Sequence, residues 1–167
     1  MRVAVQRLSQ EQALARWAEL CDDPELANLE APFEMDEFGE PYMTPPPSLR
    51  HQMISDALAE QLRDQLGGRA IVECPVYAGK TYPADIAWMP AEQLRGETPA
   101  AAVGPPLVVE VLSRGNTAQG IAAKTQAHLA HGVREVVWVE LDGRVRYFSV
   151  DGERPDSQFG ISLKPPA

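Results

Sequence analysis

The sequence predicts an α/β fold, bordering on α+β, with a mixed central β-sheet flanked by helices. Three observations carry this expectation. The predicted elements run helix, hairpin, helix, then strands, a helix and a final hairpin. Residues 107–112 are apolar except for Glu110, the pattern of a central strand covered on both faces. Asp142-Gly143 separates the strand-like runs 135–141 and 144–150, and that dipeptide suits a tight hairpin turn. A chain of 167 residues is long enough for one domain with a single sizeable core.

Each element follows from local chemistry. Ser9 with Gln12 reads as a capping box that opens a helix. Leu14, Trp17, Ala18 and Cys21 recur along it at helical spacing, and it ends near Asp22-Asp23-Pro24. Residues 24–30 add a short helical turn. Residues 33–35 and 41–43 flank Asp36-Glu37-Phe38-Gly39, a hairpin turn in which Gly39 supplies a positive φ. After a rigid proline run, Ser48 caps the strongest helix, with Met53, Ile54, Ala57, Leu58, Leu62 and Leu66 inward and Gln61 as a polar interruption. Gly67-Gly68 ends it.

Residues 70–78 read as a strand that Pro75 interrupts or ends, 79–82 as a turn and 84–89 as a further strand. Residues 90–106 form a long loop of a length uncommon without function or mobility. Asn116 or Thr117 caps a helix running to about His131, with Gly132 as its stop. Trp17, Trp88 and Trp138 read as core residues. Residues 1–28 form an acidic helical extension, 29–150 the main domain, and 151–167 a polar tail with one edge strand near 159–163.

The bulk numbers exclude some classes. Apolar residues make up 44% and charged residues 23%, ordinary for a globular protein. No apolar run is long enough to span a bilayer, and the first residues lack a signal-peptide core. Two cysteines, Cys21 and Cys74, form no metal motif and suit a reducing compartment, so a cytoplasmic location is expected. The net charge of −9 argues against a strong nucleic-acid binder. Its distribution softens that objection. Residues 1–40 hold ten acids and three bases, while the remaining 127 hold 14 acids and 12 bases.

Two carboxylates sit inside strand-like apolar runs: Asp85 in Pro-Ala-Asp-Ile-Ala-Trp and Glu110 in Leu-Val-Val-Glu-Val-Leu. Burying an unpaired carboxylate costs several kcal/mol, roughly, so each needs a partner, a proton or a metal ion. On neighbouring strands they would hold one divalent ion between them. Magnesium suits two carboxylates plus waters, with manganese as an alternative, and the Val111 carbonyl is a further ligand candidate. At about 100° per residue, Ile121, Thr125, Ala118, Leu129 and Ala122 form the core face of the next helix. Lys124 lies on its shoulder, with Gly120 and His128 within about 40°. Its long stem can run inward and present an amine to the cleft. Asp85, Glu110 and Lys124 are therefore the candidate catalytic set, with Glu34, His51 and Ser113 on the cleft rim. His128 and His131 have no evident partner.

The motifs match a known family. Phe33-Glu34 with Gly39-Glu40, then Met43-Thr44-Pro45-Pro46-Pro47-Ser48-Leu49-Arg50-His51, resembles the opening of the Uma-two family of restriction endonuclease-like proteins. Pro83-Ala84-Asp85, the run from Leu107 to Ser113, the helix with Lys124, and Gly132-Val133-Arg134-Glu135-Val136-Val137-Trp138-Val139 continue the resemblance in register. It covers residues 29–150. It implies the PD-(D/E)XK nuclease fold, with Asp85 and Glu110 as metal ligands. The superfamily's usual lysine, two positions after the second acid, is Leu112 here; the resemblance implies that Lys124 supplies the amine.

Three positions depart from the family pattern: Arg114 replaces a proline, Gly120 an acid and His128 an aromatic. The expected activity is metal-dependent hydrolysis of nucleic-acid phosphodiesters, DNA foremost. A homodimer would give two active sites for cutting both strands of a duplex. The acidity and Gly120 motivate a second reading, a non-catalytic member that binds nucleic acid or a protein partner. A hydrolase of another phosphoester is a third.

Overall fold

The computed structural model describes residues 6–29, 31–96 and 98–166. The leader-peptide reading of residues 1–5, the end of the second helical turn at Glu30 and residue 97 of the long loop fall outside the described residues. The elements are α1 (Gln10–Cys21), α2 (Pro24–Ala27), β1 (Phe33–Met35), β2 (Pro41–Met43), α3 (Leu49–Leu66), β3 (Arg69–Tyr77), β4 (Thr81–Met89), β5 (Ala102–Val103), β6 (Leu107–Val111), α4 (Ala118–Ala130), β7 (Glu135–Val139), β8 (Val145–Ser149) and β9 (Gly152–Arg154). All nine strands join one mixed sheet, with β2-β1-β4-β6-β7-β8-β9 as its main path and β3 and β5 beside β4. Among the described residues, only β6–β7 and β3–β5 are parallel. The α/β expectation therefore holds.

Local signals set most boundaries. Ser9 and Gln12 form the capping box at α1, Ser48 caps α3 and Thr117 caps α4. Gly39 adopts φ +89° in the β1–β2 turn, where a Cβ would meet Leu8 Cδ1 at 2.9 Å. Pro75 does not interrupt β3. It stands opposite Pro83 of β4, and pairing runs on to Tyr77 and Thr81. The long loop is tied down by a single 3-10 turn (Ala91–Leu94), by β5, and by the Trp17 indole donating to the Ala100 carbonyl at 3.1 Å.

The sheet has two covered faces. Leu58, Ala59 and Leu62 of α3 pack on Ile86, Trp88, Leu107, Val109 and Val111. Leu129 of α4 packs on the opposite face, on Ala87, Met89, Val108 and Val136. Ala13, Trp17 and Leu20 of α1 close a third cluster on Met35, Tyr77 and Ala101. Several expected core positions lie outside it: Cys21, Met53, Ala118 and Ala122 are exposed, because each helix is turned slightly from the predicted phase. No helix among the described residues is long and apolar enough to cross a membrane.

The tail also differs from expectation. Residues 159–163 make no strand; the edge strand is β9. Side-chain amides do the pairing instead. Gln61 bonds both N–H and C=O of Lys164 (2.8 Å each), and Gln65 bonds both groups of Ser162 (2.9 and 3.1 Å). Ile161 and Leu163 are thereby pressed into the core beside α3. Buried Glu135 anchors the approach, accepting from the Ser157 hydroxyl and the Gln158 N–H.

Candidate active site

One edge of β4 is shared by two strands. β1 pairs at Thr81 and β6 begins at Ile86, so residues 82–85 face a gap on that edge. Opposed prolines, both lacking an N–H, fit a non-hydrogen-bonded pair whose carbonyls point away from each other's strand. The Pro83 carbonyl accordingly turns into the gap and accepts from Lys124 Nζ at 3.1 Å. The β4–β6 pairing stops at Ile86 and Val109, which leaves Asp85 and Glu110 just beyond it. Glu110 meets Lys124 and His128 of α4, whereas Asp85 meets His51 of α3 and the Val111 N–H.

The side chains that converge come from both helix layers. Glu110, 3% exposed, receives Lys124 Nζ on Oε2 at 2.7 Å, and His128 Nε2 stands 3.3 Å from Oε1. Asp85 Oδ2 accepts the Val111 N–H at 2.7 Å. From α3, His51 Nε2 reaches both Asp85 Oδ2 (3.3 Å) and the Val111 carbonyl oxygen (3.1 Å). Asp85, Glu110, Val111, Lys124 and His51 line a cleft of about 410 Å³, together with Ser113 and Glu34.

Electrostatics separate the two acids. Burial, then the Glu110 charge, pushes the Asp85 carboxyl up, against the opposing pull of His51 and Lys124. Burial also pushes Glu110 upward, but Lys124 and His128 outweigh it and hold the carboxyl below its usual range. Burial disfavours the Lys124 ammonium, yet Glu110 and Asp85 together raise it. The hydrogen bond to Asp85 raises His51 despite its partial burial. The two acids are thus set apart, Asp85 pushed up and Glu110 held down, with His51 and Lys124 as their basic partners.

Other expected residues fall around this centre. Glu34 takes a short hydrogen bond from the Tyr42 hydroxyl and lies 3.7 Å from Lys80 Nζ, one layer out from Glu110. Ser113 is exposed and bonded to the Asn116 side chain, at the cleft mouth. Gly120 gives its N–H to the Thr117 cap, and a Cβ there would meet that hydroxyl at 2.9 Å. His128 is the residue that sequence reasoning missed: it is fully buried, edge-on to Tyr82 and beside Glu110. Its spacing held the signal, because a residue one turn past Lys124 flanks whatever Lys124 touches. Among the described residues, no three His, Cys, Asp or Glu side chains cluster in a metal-ligating arrangement.

A mixed sheet sandwiched by helices, with embedded acids at a strand gap, is a restriction-endonuclease-like architecture. The chain belongs to the Uma2 family, whose model, described as "Putative restriction endonuclease", matches residues 17–158. Its fold is similar to the crystal structure of a putative nuclease belonging to DUF820 from Anabaena variabilis, with a TM-score of 0.64 and 18% identity over 89% of this chain and 93% of that one. No curated protein matches the chain. Family and fold together support a nuclease.

Proposed function

We propose that the protein is a divalent-metal-dependent endonuclease, magnesium being the preferred ion, manganese an alternative and DNA the first substrate class. The observation that carries this reading is the placement of two embedded acids just past the last β4–β6 pair, with Lys124 Nζ 2.7 Å from Glu110. The donor set fits a small hard cation. Glu110 Oε1 is buried and accepts no well-formed hydrogen bond, with His128 Nε2 3.3 Å away, and one His51 nitrogen approaches both Asp85 Oδ2 and the Val111 carbonyl. Asp85, Glu110 and the Val111 carbonyl are the hard oxygen donors that such a cation prefers.

A bound ion would polarise a phosphate oxygen and acidify a water. Asp85, Glu110 and the Val111 carbonyl would hold it. The chain's own residues supply the rest. Lys124, fixed by Glu110 and the Pro83 carbonyl, offers fixed positive charge to the developing negative charge on the phosphorus oxygens. His51 and the rim residues Glu34 and Ser113 border the entry for the substrate.

The unpaired thiols of Cys21 and Cys74 suit a cytoplasmic setting, and a homodimer would present two clefts to a duplex. Gly120, beside the cleft, favours the second reading of a weakened or non-catalytic binder. One experiment separates the two. Duplex and single-stranded DNA are incubated with and without magnesium, using the wild type, Asp85→Ala and Glu110→Gln. Ion-dependent cleavage lost in both variants supports the enzyme; cleavage unchanged in both would falsify the assignment.

A further inference from the structure

Beside the cleft runs a second, larger groove of about 850 Å³, between α4 and the turn that joins β3 to β4. The two share Lys124, Asn116 and Glu34, so one opens into the other. One wall is built of small residues, Gly79 on the turn and Gly120, Ala123 and Ala127 along α4. That wall lets a bulky chain approach the backbone. The other features are donors. Tyr82 is 3% exposed and its hydroxyl is buried without a hydrogen-bond partner. Its ring lies under two ammonium groups, Lys80 Nζ at 4.9 Å and Lys124 Nζ at 5.1 Å.

Resting on the nuclease reading, we infer that this groove seats the phosphodiester backbone next to the scissile bond, with Lys80 and Tyr82 as its phosphate contacts. Lys80 is suited to the task. Its short bond goes to the neutral Tyr42 hydroxyl (2.6 Å), while its nearest carboxylate, Glu34, is 3.7 Å away. Glu34, itself bonded to the Tyr42 hydroxyl, offsets that charge only in part. The Tyr82 hydroxyl is a donor lacking an acceptor, and an unsatisfied buried donor favours any ligand oxygen that reaches it. Burial and the charges of Glu110 and Glu34 raise its pKa, so it remains a proton donor at neutral pH.

The acids of the groove define which anion fits. Glu37 is paired with Arg7 at 3.6 Å and Glu34 with Tyr42 and Lys80. With these carboxylates present the groove does not concentrate free phosphate. It suits a phosphate delivered by a strand already held at Asp85 and Glu110.

The test is binding without catalysis. Fluorescently labelled DNA, duplex and single-stranded, is titrated with protein in a chelator across about 50–200 mM salt. Lys80→Ala is expected to weaken affinity several-fold and to reduce the steepness of the salt dependence by about one unit, and Lys80→Arg to restore both. Tyr82→Phe keeps the ring and is expected to weaken binding a few-fold without shifting the melting temperature. Inorganic phosphate at millimolar levels is expected not to compete. The inference is overturned if Lys80→Ala leaves affinity and salt slope unchanged, or if the wild type shows no salt-dependent binding. The nuclease reading stands or falls separately, on magnesium-dependent cleavage by the wild type and its loss in Asp85→Ala.

Discussion

His51 of α3 sits 3.3 Å from Asp85 of β4, tying the helix to an acid that lies just past the β4–β6 pairing. The contact raises the imidazole pKa above its ordinary 6.5. A group with a raised folded pKa contributes stability that is fully present below the unfolded value and fades as pH rises through the folded one. His51→Gln should therefore destabilise the protein more at pH about 5.5 than at pH about 8. Chemical denaturation at the two pH values checks this, and NMR titration should show the His51 pKa dropping in Asp85→Asn.

Glu110 and Lys124 should respond unequally to loss of their partner. Glu110 is nearly sealed, whereas the Lys124 side chain is 26% exposed and can swing to solvent. Lys124→Met should cost about 3 kcal/mol, because it strands a buried carboxylate. Glu110→Gln should cost less, about 2 kcal/mol, the worth of a charge-assisted bond. Urea unfolding of both, and of the double variant, reads the difference.

The same pair sets an acid limit. Glu110 has a depressed folded pKa, so its stabilisation is present above the unfolded value near 4.5 and lost as pH falls through the folded one. The stability lost in Lys124→Met should therefore be largest near neutral pH and shrink as pH falls and Glu110 protonates, as read by urea unfolding at neutral and at acidic pH.

Glu73 holds φ at +50°, the one positive value among the described non-glycine residues, at the break in the β3–β4 register between the Val72–Ile86 and Cys74–Ala84 pairs. Its carboxylate accepts from Gln52 at 2.7 Å and lines the cleft. A left-handed side-chain residue costs on the order of 1 kcal/mol or more. Glu73→Gly should raise the urea midpoint, corresponding to a gain of up to about 1 kcal/mol. A lowered midpoint would show that the Gln52 bond outweighs the strain.

Much of this architecture was legible because the signals were local. Ser9-Gln12, Ser48 and Asp142-Gly143 act within one turn of chain, and α1, α3 and the β7–β8 hairpin lie where they indicate. Glu110 was legible because a carboxylate in an otherwise apolar strand has few ways to be stable. What escaped depends on distant partners. Pro75 reads as a breaker until Pro83 stands opposite it. His128 reads as a stray helix histidine until β6 places Glu110 beside it. Gln61 reads as a flaw in an apolar face until Lys164, 103 positions away, is found bonded to it.

That last contact bears on how the chain reaches its native state. The glutamines of α3 and the apolar side chains they help cover wait for a segment about a hundred positions further on. Contacts of such separation pay their loop-closure entropy early and are rewarded late, which slows folding. During synthesis the inward face of α3 is thus left uncovered on one side until the strands from β3 to β9 have been made. Partly made chains should be the aggregation-prone species, and shortening the tail should depress yield in cells more than it depresses the melting temperature of whatever protein survives.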